Sequence, residues 1–150
     1  MIQNNNPTQN MSLLSSFNKL TDEFLKKMII TFPDETKITI YYTYFSTMKQ
    51  YNARKPLEYV MSQLMDKGYH ILTRDECFFK RDEIVNTAET FSEKTGLVNM
   101  WETTPNEIKN NIWEYIQSIY ILGMKAMLME NELKSVIQQI KDNNDNINKN

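Results

Sequence analysis

The sequence predicts an all-α, single-domain bundle of about four main helices plus short turns, with a long C-terminal helix at its centre. Three observations lead there. Apolar residues recur at helical spacing along most of the 150 positions, only three glycines interrupt them, and S/T-x-x-E capping patterns stand before periodic runs. Apolar residues make up 41% of the chain, enough for a substantial core at this length.

Residues 1–11 are polar with a proline and read as a disordered lead-in. Leu13, Phe17, Leu20, Phe24, Met28 and Phe32 then form a helical stripe, with Asp22/Lys26 and Glu23/Lys27 paired one turn apart outside it. Pro33 disfavours helix at Phe32 and ends the element. The segment Lys37–Tyr51 is ambiguous. Ile38, Tyr41, Tyr42, Phe45 and Met48 fit a helix, whereas ITIYYTYF has the β-branched and aromatic make-up of a strand. No second strand is available to pair with it, so a helix is expected.

Pro56 opens a third helix whose inner face is Leu57, Val60, Met61, Leu64 and Met65, with Gly68 as a left-handed stop. Thr73-Arg74-Asp75-Glu76 reads as a capping box before a short turn carrying Phe78 and Phe79. Residues 82–96 have no steady period and read as an irregular connection. Leu97, Met100 and Trp101 mark a short helix.

Thr104-Pro105-Asn106-Glu107 then opens the organising element, with Thr104 as cap. Ile108, Ile112, Ile116 and Ile119 form one face; Trp113, Tyr120 and Met124 form a second, so partners are expected on more than one side. Trp113 should be buried against the first and third helices. Read as one helix, Thr104–Ile140 spans about 55 Å, too long for the rest of the bundle to cover. Ile119, Leu122, Ala126, Met129, Leu133, Val136 and Ile140 recur at alternating spacings of three and four, a heptad seam. The overhang, with Met129, Leu133, Val136, Ile137 and Ile140, is therefore expected to self-associate or dock onto a protein partner. The competing reading is a break near Glu130-Asn131-Glu132 with the last turns folded back or frayed. Residues 141–150 are Asn-rich and charged, and read as a disordered tail; residues 12–140 form the helical domain.

Catalytic chemistry fails on inventory. One histidine and one cysteine, His70 and Cys77, leave no CxxC or HExxH, and Gly68, Gly96 and Gly123 are too scattered for a phosphate-binding loop. Cys77, before Phe78-Phe79, reads as a small buried hydrophobe, and His70 as a loop residue. The acidic pairs Asp75-Glu76 and Asp82-Glu83 read as a solvated rim rather than a metal loop. No enzyme activity, cofactor or metal is expected. Seventeen basic against nineteen acidic residues give a net charge of −2, and Lys26-Lys27, Arg54-Lys55 and Lys80-Arg81 are scattered doublets. Nucleic acid is thus the secondary expectation, with Tyr41, Tyr42 and Tyr44 available for stacking. No apolar run approaches the ~20 residues of a membrane span, so a soluble protein without membrane contact is expected.

Four places carry a family resemblance. They are Thr31-Phe32-Pro33 closing the first helix, Asp75-Glu76-Cys77-Phe78-Phe79, Leu97 to Trp101, and Ile112-Trp113-Glu114-Tyr115-Ile116-Gln117. Over residues 15–123 the chain resembles short helical proteins of giant nucleocytoplasmic large DNA viruses. The matching positions are mostly core residues and caps, so they imply fold more than activity. The resemblance implies a viral protein in the infected-cell cytoplasm or the virion and adds no catalytic residue. The sequence-level expectation is a non-enzymatic interaction or structural protein, using the C-terminal seam and Phe78/Phe79. The alternative is a nucleic-acid-associated accessory protein.

Overall fold

Helix α1 (Pro7–Thr31) lies along helix α6 (Asn106–Ala126), and the other elements are arranged around that pair. The computed structural model describes residues 7–81 and 89–148, and among these no strand occurs: the domain is all-α. Phe17, Phe24, Leu25 and Met28 form the buried face of α1, while Asp22–Lys26 and Glu23–Lys27 pair on the outside at 3.1 and 3.6 Å. α1 begins at Pro7, inside the stretch expected as a lead-in.

The strand-like segment is helix α2 (Thr36–Tyr51). Ile38, Tyr41 and Phe45 recur at three and four residues, and all three are buried, so the core-facing period overrides β-propensity. Thr43 donates its hydroxyl to the Thr39 carbonyl, a bond that ties a β-branched side chain back to its own helix. The third helix, α3 (Lys55–Leu64), buries Pro56, Leu57, Val60, Met61 and Leu64.

Gly68 is not a left-handed stop. At φ −54°, ψ −43° it starts a short helix, α4 (Gly68–Leu72). Its lack of a side chain has a packing reason: a Cβ there would run into the Tyr120 phenol on α6. Gly123 on α6 likewise faces Met61 of α3, where a Cβ would collide with the thioether. Two glycines thus set how closely α6 meets the third and fourth helices.

Thr73 does not cap the following turn; its hydroxyl donates back to the Tyr69 carbonyl. The cap is Asp75, accepting from the Cys77 N–H at 2.9 Å and opening a 3-10 turn over Glu76–Phe79. Part of the connection expected to be irregular, 82–88, lies outside the described residues. Its remainder contains α5 (Phe91–Thr95), with a Thr90/Glu93 capping box and Gly96 at φ 77° as its stop. The short helix near Leu97–Trp101 is two 3-10 turns, Leu97–Asn99 and Trp101–Thr103. Thr104 bonds the Met100 carbonyl instead of capping, and α6 starts at Asn106, one residue beyond where a Thr104 cap would place it.

The organising helix is not continuous to Ile140. It stops at Ala126, and a second helix, α7 (Glu130–Asn148), folds back against α4 and α6. The break falls at Met127–Met129, slightly before Glu130-Asn131-Glu132. Met129 N–H donates to the Met124 carbonyl at 2.8 Å and Leu128 N–H to the Lys125 carbonyl at 3.1 Å. Leu128 sits between them at φ 60°. That is a Schellman stop with leucine where glycine is usual. α7 also continues to Asn148, through most of the stretch expected as a tail, with Lys141–Asn148 exposed.

Candidate interaction surface

Phe78 and Phe79 are not available to a partner. The 3-10 turn points both rings inward, leaving them 7% and 2% exposed. Phe79 stacks on Trp101 at 3.7 Å between centroids and meets Trp113 edge-on at 4.9 Å. Trp113 is buried as expected, but against Phe78, Phe79 and Trp101. These are ring partners the expectation of the first and third helices did not include. Glu76 fastens the turn from outside, accepting from the Trp101 indole N–H at 3.2 Å, while Lys109 lies 5.0 Å over the same indole.

Cys77 is exposed, contrary to its reading as a buried hydrophobe. In a 3-10 turn three residues make a full revolution, so the side chains that bury Phe78 and Phe79 leave Cys77 facing out. It lines a 770 Å³ cleft with His70, Glu76, Lys80, Arg81 and Glu102. His70 is on α4 rather than in a loop, and its Nδ1 lies 2.9 Å from Asp75 Oδ2.

The order of these groups decides what they can do. Asp75 is the shared centre: the Cys77 backbone N–H donates to its Oδ1 at 2.9 Å, and His70 Nδ1 lies 2.9 Å from its Oδ2. The Cys77 N–H, and after it His70, hold its pKa below the ordinary carboxylate value. A nucleophilic thiol needs the imidazole between itself and the acid, taking the thiol proton. Here the imidazole and the Cys77 N–H both bond the carboxylate, a staple that fastens the 3-10 turn to α4. Among the described residues, no three His, Cys, Asp or Glu side chains are grouped to hold a metal ion. None of the described helices is long and apolar enough to cross a membrane.

The expected C-terminal seam is largely occupied within the chain. Leu133 is buried, Met129, Val136 and Ile140 are half-buried, and only Ile137 reaches 37% exposure. The folded-back α7 supplies its own cover, with Asn143 Nδ2 donating to the Tyr69 hydroxyl at 3.1 Å.

The tyrosines of α2 separate by face. Tyr41 is buried and bonds Gln63, and Tyr42 donates to Asp22 at 2.9 Å. Tyr44, 60% exposed, points out with Ile40 at 55% and Tyr51 at 86%. At about 100° per residue these three fall within one narrow stripe. The signal was present in the sequence, since they are the apolar positions of α2 left over once Ile38, Tyr41, Tyr42, Phe45 and Met48 are assigned to the inner face. The alternation that makes ITIYYTYF resemble a strand is thus two helical stripes, one inside and one outside. Comparison of the chain with protein-family models, with curated proteins and with solved structures gives no match.

Proposed function

We propose that this chain is a non-enzymatic helical interaction module that docks an apolar surface of a protein partner on the outer stripe of α2. The carrying observation is that Ile40, Tyr44 and Tyr51, each more than half exposed, line one side of a 16-residue helix whose other side is core. Aromatic residues in such a row give large contact area at low rotamer cost. The likeness to helical proteins of giant DNA viruses supports a place in the virion or the infected-cell cytoplasm.

The test is site-specific photo-crosslinking from Thr47, on the same stripe, with and without Tyr44→Asp. The module reading expects one or a few discrete adducts that Tyr44→Asp abolishes while the helical spectrum is kept. Adducts insensitive to Tyr44→Asp, or none, would reject it. The nucleic-acid alternative draws on Tyr44 and Tyr51 beside Arg54-Lys55. It expects oligonucleotide binding that weakens steeply with salt.

A further inference from the structure

We infer that α7 can be exchanged between two copies of this chain, with Met127–Met129 straightening so that α7 of each copy covers α4 and α6 of the other. Two independent observations carry this. The first is conformational: Leu128 holds φ 60° at a helix stop, where L side chains other than Asn are disfavoured. The second is sequential: Lys125-Ala126-Met127-Leu128-Met129-Glu130 holds no glycine, proline or capping residue and consists of strong helix formers. Local preference therefore favours one straight helix through the point where the chain reverses. What reverses it is the contact of α7 with α4 and α6, with Leu133 buried in the core and Asn143 bonded to Tyr69 of α4.

Those contacts do not depend on which copy supplies α7. A second copy presents the same Leu133 to the same core and the same Asn143 to the same Tyr69. Exchange therefore keeps the docking interactions, relieves Leu128 and restores helical bonds across residues 127–129. Only association entropy opposes it, so protein concentration sets the outcome. Straightened, the seam from Ile119 to Ile140 becomes continuous. The occupant is thus a second copy of this chain rather than an unrelated helix. This shares with the α2 proposal only the idea that the chain associates, and its surface is different, so either can fail alone.

The experiment uses the full chain carrying Cys77→Ser, because Cys77 is exposed. Tyr69 and Asn143, in contact at 3.1 Å, are replaced by cysteine in separate chains, Tyr69→Cys and Asn143→Cys. The two chains are co-refolded at high concentration and treated with a short bis-maleimide. Exchange expects a covalent heterodimer, unaffected by Tyr44→Asp. Adding Leu128→Gly, which suits the stop and disfavours the straight helix, should cut its yield by about tenfold or more. A single chain carrying both cysteines reports whether α7 docks at all. Internal cross-linking of that chain with no heterodimer from the mixture overturns the inference. So does a heterodimer yield indifferent to Leu128→Gly. Failure of the doubly substituted chain to cross-link removes the docked α7 and overturns it too.

Discussion

Replacing Trp113 by alanine tests whether the turn over Glu76–Phe79 is part of the core or a decoration on it. Trp113 is 4% exposed and touches Phe79, Trp101 and Phe78 at ring separations of 4.9, 5.6 and 6.0 Å. A buried indole removes about 200 Å² from water, worth about 5 kcal/mol at 25 cal/mol per Å². A compact denatured state lowers that figure, and an unfilled cavity between three rigid rings raises it. The expected loss for Trp113→Ala is about 4 kcal/mol, a large part of the stability of a domain this size. Trp113→Phe keeps an aromatic partner for Phe79 and should lose only about 1–2 kcal/mol. Urea unfolding followed by far-UV circular dichroism, with the m-value compared across variants, measures both. A loss for Trp113→Ala below about 1 kcal/mol would refute the reasoning, because the aromatic cluster would then be free to collapse or dispensable.

The hydroxyl of Tyr120 is buried against Gly68 without a hydrogen-bond partner among the described residues, so Tyr120→Phe should leave stability unchanged or raise it by about 1 kcal/mol. A clear destabilisation in the same melts would mean that the hydroxyl is bonded after all. Asp75 titrates below its ordinary value in the folded protein, so its contribution is present above about pH 4 and lost as pH falls through the folded value. Asp75→Asn should flatten that part of the acid limb, and an unchanged limb in pH-dependent unfolding would show that the staple contributes nothing. Cys77, which is exposed, should react with a thiol reagent in the folded state without denaturant and with no change in helical signal. Resistance to modification without denaturant would contradict its placement.

The helices that bury a stripe were legible in the sequence because period and burial agree: Phe17–Phe24–Met28 in α1 and Ile112–Ile116–Ile119 in α6 needed nothing but spacing. Caps were less legible, because a threonine hydroxyl can satisfy a local carbonyl instead. Thr73 and Thr104 both do so, leaving the cap to Asp75 and the start of α6 to Pro105. The Thr90-x-x-Glu93 box has the same spacing as the others but lies inside a stretch without long-range period. The break at Leu128 carries no glycine or proline; the competing reading of a fold-back near Glu130-Asn131-Glu132 lies just past it, and the docking of α7 on distant α4 and α6 sets the point. Among the site residues, Phe78 and Phe79 were misplaced because sequence gives no phase for a 3-10 turn. The Ile40–Tyr44–Tyr51 stripe is masked in the sequence because α2 carries two apolar faces, whose superposition resembles a strand.

The pairing of α1 with α6 also fixes an order of events during synthesis. α1 is complete at Thr31, but its principal partner ends only at Ala126, 95 residues later by subtraction. At about 5–20 residues per second the ribosome needs roughly 5–20 s to supply it. For that interval Phe17, Phe24 and Met28 must be shielded by α2, α3 and the Phe91 of α5, or by a chaperone. Nascent chains stalled before α6 are therefore the form of this protein most exposed to aggregation, and slowing translation between the two helices would lengthen that exposure.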